Sequence, residues 1–311
     1  MSDVRDVRDR PLVELPGQPP GVPWPTDEWP VADPPDAAAD GLAALLDDIT
    51  TDVDRYGTTY AVAVVQRGAL LAERYGGELE RWDRPNEAVH PETRLLSWSM
   101  AKSVLHAAVG MLVGEGRLAV DAPVPVPEWA DPAHPADPRH AITLGDLLTM
   151  RDGLEFAEDY EDAGVSDVIE MLFGAGQGDM AHHAADRPLA HPPGTMFNYS
   201  SGTSNIVSGI VAREVGPGDA YARFLDERLF APIGMRSTHA RFDGAGTFVG
   251  SSFLYATAQD YLRFGLLYLR DGEWDGARLL PEGWVDYARR ATSYDAEGER
   301  WYGAHWWVVD D

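Results

Sequence analysis

The chain has 311 residues, 44% of them apolar, no cysteine and a formal net charge of −26. That length suits one large domain or two interleaved subdomains. The missing thiol excludes disulfides, thiol catalysis and cysteine-ligated metal centres, and the excess of acid argues against nucleic acid or an anionic membrane as partner.

Residues 1–36 are rich in proline and acid and read as an extended arm laid over a domain at 37–311, with Trp24 and Trp29 as anchors. The arm has no apolar stretch of signal-peptide length. No window of about 18 apolar residues is present to span a bilayer, so the chain is read as soluble and cytoplasmic. Leu42, Leu45, Leu46 and Ile49 share one face of a helix predicted over 37–56. Two β-rich runs, Thr59–Val65 and Ala69–Tyr75, flank Arg67-Gly68 and predict a hairpin.

From residue 99 to 114 the apolar residues recur at helical spacing and cover almost every face, which predicts a central helix. A short helix is expected over 142–150 with Thr143 as N-cap. Further helices are expected at 166–173, 200–215, 218–229 and 257–270, the last capped by Thr257. Pro281 reads as the first residue of another helix, and 301–309 as one strand. The order predicts an α+β fold. Its antiparallel sheet is drawn from both chain ends, about 37–96 and 245–311, with a helical subdomain at about 97–244 inserted between.

Of the 25 basic residues, 24 are arginine. The one lysine, Lys102, stands three residues after Ser99, and residues three apart share a helix face. Lysine can lose its proton when buried, whereas arginine stays charged. A neutral Lys102 can therefore take the proton of Ser99 and make its oxygen a nucleophile. The helix N-terminus adds free N–H groups for an oxyanion. The plainer alternative is a capping serine and a surface lysine. A second constellation is Pro192-Pro193-Gly194-Thr195 followed by Tyr199-Ser200-Ser201. A tyrosine held before a helix can pass a proton between nucleophile and leaving group; the alternative is a packed aromatic.

With these motifs the chain resembles the serine β-lactamase and penicillin-binding-protein superfamily, from roughly residue 40 onward. Ser99-x-x-Lys102 is similar to its nucleophile box and Tyr199-Ser200-Ser201 to its second box. The stretches Thr143–Leu154, Pro232–Met235 and Ala256–Gly265 resemble the family as well. The look is of the class C-like branch, which holds class C β-lactamases, D-amino-acid peptidases, family VIII esterases and aminohexanoate-oligomer hydrolases. The resemblance implies a β-lactamase-like fold and an acyl-enzyme on Ser99, with Lys102 as base, Tyr199 as relay and no metal or organic cofactor. Ser201 stands where β-lactamases carry an asparagine that contacts the substrate amide. That points to a small linear amide or ester as substrate, with a β-lactamase or D-amino-acid peptidase as the alternative and a non-catalytic acylated or peptide-binding sensor as another. The acidic run Glu158–Asp162 resembles a loop that carries a substrate-covering tyrosine, which makes Tyr160 a candidate for that role or part of a plain solvated loop.

The family's third box, Lys-Thr-Gly or His-x-Gly on a late strand, is not found. Residues 306–311 resemble the strand before it, so the chain is expected to stop short of the last strands. Among the histidines, His182, His183 and His191 are considered for metal and His106 for a place facing Lys102. A satisfied core histidine is the expected role for His106.

Overall fold

Two buried helices lie side by side, and the candidate chemistry sits where their N-terminal ends meet. In the computed structural model, residues 10–80, 85–130, 134–162 and 164–309 are described. The first central helix, Ala101–Gly114, buries eleven of its residues, from Ala101 to Leu112. The second, Ser201–Val215, buries every residue from Ser201 to Ala212. The first is apolar almost all round, as a core helix should be; the second also buries Thr203, Ser204, Asn205 and Ser208, and the shorter helices Leu144–Leu148, Asp167–Phe173 and Met180–Ala185 pack around it.

The predicted hairpin forms as Ala61–Gln66 paired antiparallel with Ala69–Tyr75, with a slip of register between Val64 and Val65. The helix expected over 37–56 forms as Asp36–Thr51 and a single turn Val53–Tyr56, separated by Asp52, whose side chain caps the second piece. A three-stranded antiparallel sheet places Leu254–Ala256 between Leu95–Leu96 and His239–Ala240. It leads the chain directly into the turn that bears Ser99. Residues 10–35 of the arm run over this side. The indole of buried Trp29 donates to Gln259 O at 3.3 Å, and Trp24 packs on Trp274 with ring centroids 5.0 Å apart.

Three expectations are corrected. The sheet is drawn from both chain ends only in part: Leu95–Leu96 pairs with Leu254–Ala256, whereas among the described residues Ser293–Asp295, Arg300–Tyr302 and Trp307–Val308 pair only with one another. Aromatic packing draws them to the helical side, with Tyr302 5.5 Å from Phe197 and Trp307 5.2 Å from Tyr199 between ring centroids. The strand expected at 301–309 is broken by a turn at 303–306. A Cβ on Gly303 would sit 1.9 Å from Ala288 O, and His305 adopts a left-handed φ of 55°, so the chain must bend there. Finally, Pro281 does not begin its helix. The helix is Trp284–Arg289, entered through Gly283 at φ 79°.

Candidate active site

Ser99 lies in a single 3-10 turn, Trp98–Met100, that runs straight into the helix Ala101–Gly114. The turn is made by an unusual backbone: Trp98 has φ 44°, a region costly for a residue with a side chain. The cost is met by the buried Ser97 next door. Its hydroxyl lies 3.0 Å from Trp98 O and 3.2 Å from Ser252 O, and it accepts the N–H of Leu254 at 3.2 Å. Ser99 is half-buried, and among the described residues its own N–H has no backbone acceptor.

Lys102 is buried, and its Nζ has three oxygen neighbours. It lies 3.2 Å from Ser99 Oγ, 3.2 Å from Ser201 Oγ and 3.0 Å from Ser251 O. The Tyr199 ring centroid is 4.8 Å from the same Nζ. So the two sequence motifs, about a hundred residues apart, meet at one amine. Tyr199 is placed by the chain on either side of it: Asn198 N–H donates to Met150 O at 2.9 Å, and Ser200 caps the helix Ser201–Val215 through Thr203 N. Its ring stacks on Trp307 and meets Tyr302 edge-on. Its hydroxyl makes no hydrogen bond to Ser99 or Lys102.

The acidic loop that sequence reasoning left open folds back onto this cluster. Glu158 accepts the Ser201 N–H at 2.8 Å and the Ser201 hydroxyl at 2.6 Å. Tyr160, half exposed, donates to the same carboxylate at 2.6 Å. The loop is held in this shape by Asp159, which accepts from the N–H groups of Glu161 and Asp162, and by Asp167, which accepts from Ala157 N–H. Glu158 and the Ser251 carbonyl were not singled out in the sequence. Only the position of Glu158 two residues before Tyr160 offered a signal for it, and a main-chain carbonyl offers none.

His106 does not face Lys102. Its Nδ1 is 2.8 Å from the Tyr268 hydroxyl, and its ring stacks on Trp284 at 4.5 Å. Burial holds its pKa well below the ordinary histidine value. His305 is also buried. Its Nδ1 lies 3.1 Å from the main-chain O of Lys102, and burial holds it down at about 3. It is therefore neutral and braces the start of the helix. His182 pairs with Glu128 at 2.8 Å, and the His183 Nε2 is 3.1 Å from Arg187. Among the described residues no group of three or more histidine and acidic side chains is arranged to hold a metal ion. No helix among them is long and apolar enough to cross a membrane. A cleft lined by Glu128, Asp179, His182 and Arg213 shares no residue with the Lys102 cluster.

Comparison with known proteins places the chain. It is 30% identical over 259 residues to Protein Rv1367c of Mycobacterium tuberculosis, which covers 68% of this chain and 62% of that protein. The chain thus spans under two thirds of that relative's length. It is 28% identical over 289 residues to the 6-aminohexanoate-dimer hydrolase of Paenarthrobacter ureafaciens, covering 87% of this chain and 69% of the other. Its fold matches a penicillin-binding-protein homologue from Caulobacter crescentus with a TM-score of 0.65 at 18% identity, over 89% of this chain and 82% of that one. A family model described as Beta-lactamase matches residues 21–311. The chain therefore belongs to the Beta-lactamase family, within the superfamily of β-lactamase-like serine hydrolases and penicillin-binding proteins.

Proposed function

We propose that this chain is a serine hydrolase that cleaves a small linear amide or ester through an acyl-enzyme on Ser99. The observation that carries the reading is the chain's one lysine, buried with its Nζ 3.2 Å from Ser99 Oγ. Ser99 Oγ forms a bond to the substrate carbonyl carbon while its proton passes to Lys102. The unpaired N–H of Ser99 donates to the oxyanion. As the C–N or C–O bond breaks, the proton reaches the leaving group by way of Tyr199. Water then attacks the acyl-enzyme and returns the proton to Ser99. Tyr199 supports this reading through position, since its ring centroid lies 4.8 Å from the amine that contacts Ser99; such hydrogen bonds are often loose without substrate.

Two features favour a linear substrate. Ser201 offers no side-chain amide, and its hydroxyl proton is already taken up by Glu158. Tyr160 stands half exposed beside the cluster, in position to cover a substrate. The similarity to an aminohexanoate-dimer hydrolase supports the same class, and within the superfamily we place the chain in the class C-like branch. The arm, residues 1–36, and the single hydrolase domain that follows are part of the same proposal.

The test is covalent labelling. A fluorophosphonate probe is expected to add to Ser99, read by peptide mass, and Ser99→Ala is expected to abolish both the label and nitrophenyl-ester turnover. A label elsewhere, or turnover that survives Ser99→Ala, refutes the assignment. Rapid nitrocefin hydrolysis would establish a β-lactamase instead, and a penicilloyl adduct that never releases would establish a sensor.

A further inference from the structure

The carboxylate of Glu158 touches neither Ser99 nor Lys102, yet it decides which way the hydrogen bonds between them run. A carboxylate accepts only, whereas a serine hydroxyl both donates and accepts. Glu158 receives the Ser201 N–H at 2.8 Å and the Ser201 O–H at 2.6 Å. The Ser201 proton is therefore committed to Glu158, and Ser201 Oγ can only accept from Lys102 at 3.2 Å. The Ser251 carbonyl, 3.0 Å away, is also an acceptor only. In the neutral form that the base reading requires, the Lys102 amine has two N–H bonds and one lone pair. Both N–H bonds are then spent on Ser201 and Ser251, and the lone pair is left facing Ser99 Oγ, the third neighbour.

We propose that Glu158 is a positioning residue that acts through Ser201 to aim the lone pair of Lys102 at Ser99. This rests on the reading of Ser99 and Lys102 as nucleophile and base. Without Glu158 the Ser201 hydroxyl is free to donate to Lys102 and to occupy the same lone pair.

Glu158→Gln tests the direction of the bonds with little change of shape. The Ser201 N–H still requires an acceptor, so the Gln carbonyl turns to it and the Gln amide donates to Ser201 Oγ. Ser201 must then donate to Lys102. The acylation rate, read as the burst of nitrophenolate from p-nitrophenyl butyrate, is expected to fall about 10²-fold, a typical share for a general base. Binding of the ester is expected to stay within about twofold, because the ester does not need this bond. Glu158→Asp, which keeps an acceptor-only group, is expected to recover most of the rate.

The sharpest result lies in the pair. Ser201→Ala alone is expected to slow acylation about tenfold through one lost hydrogen bond. Adding it to Glu158→Gln is expected to raise the rate of the Glu158→Gln variant to that of Ser201→Ala, because the misdirected donor is gone. If Glu158 were merely a negative charge near the amine, removing it would free the base and speed acylation. A Glu158→Gln variant as fast as the natural protein or faster, or losses that simply multiply in the double variant, overturns the inference. Should the Glu158→Gln variant not fold, Ser201→Ala decides alone, and an unchanged acylation rate overturns it. A natural protein whose Ser99 never acylates sinks the underlying reading together with this one; a Ser99 that acylates at one rate in both the natural protein and the Glu158→Gln variant sinks this one only.

Discussion

Lys102 and His106 lie one turn apart on the same buried helix, and both are titratable. Around Lys102 there are three oxygen atoms, one of them on a half-buried serine, and beyond Ser201 a path of hydrogen bonds leads to the half-exposed Tyr160. Around His106 there are rings. Trp284 stacks on it, its indole donates to the main-chain O of His106 at 3.1 Å, and Tyr268 closes the other side. The His106 Nε2 has no partner at all. Gly110 makes the seal possible, since a Cβ there would fall 2.2 Å from the Trp284 indole nitrogen. The difference teaches what separates the two: the proposed base has oxygen partners and an opening, whereas a neutral ring among aromatics is packing.

The largest effect that tests this contrast is at the open end. Lys102→Arg puts a permanent cation where the reading needs a neutral amine and so removes the group able to take a proton. Acylation of Ser99 by a nitrophenyl ester is expected to fall about 10³–10⁴-fold with the melting curve still cooperative. Near-normal acylation refutes the contrast at its source. Tyr199→Phe is next, with a loss of about 10²-fold in turnover and little change in melting, because the ring that stacks on Trp307 is kept. Full activity in that variant removes the relay.

At the sealed end the signs reverse. Gly110→Ala forces Trp284 from its place over the helix and is expected to cost about 1–3 kcal/mol of stability, read by urea unfolding. The folded fraction is expected to label at Ser99 at the natural rate. A labelling rate that falls with stability would mean the two ends are not separate.

The smallest effect is in pH. His106 is held well below its ordinary value of 6.5 in the folded chain, so the unfolded chain takes up its proton first on acidification. Stability from this group is present above 6.5 and is lost as the pH falls below it. His305 behaves the same way down to about 3. Buried Asp152 opposes them. Burial raises it from 3.8 to about 6 against hydrogen bonds from Leu154 N–H and Thr203, so its contribution grows as pH falls through that window. His106→Phe is expected to flatten the loss of melting temperature between pH 7 and pH 5. An unchanged slope would show that His106 is already charged, and that its aromatic enclosure does not exclude the proton.

Much of this was legible in the sequence. The central helix 99–114, the Thr143 and Thr257 caps and the hairpin around Gly68 follow from local spacing and capping chemistry, and they form where expected. That Ser99, Lys102 and Tyr199 belong together was legible from the resemblance, and they do meet at one amine; the roles given to them are the proposal. What was not legible depends on contacts between distant segments. No local pattern says that Glu158 will reach Ser201 across 43 residues. None says that residues 303–306 will turn, since Gly303 is required only by the carbonyl of Ala288 against which it lies. The strands of the two chain ends meet only at Leu95–Leu96 and Leu254–Ala256, and the partners of the others were not legible for the same reason: alternation marks a strand but does not name its neighbour.

The ring of His305 holds the carbonyl of Lys102 across 203 residues of chain. Ser103 donates to the His305 carbonyl at 3.1 Å, and the His305 N–H reaches Leu148 O at 3.0 Å. A clasp of such high sequence separation closes only after almost everything before it has been synthesised and collapsed. On the reading of Ser99 as nucleophile, the serine is made early and its helix is braced late, when that distant turn docks.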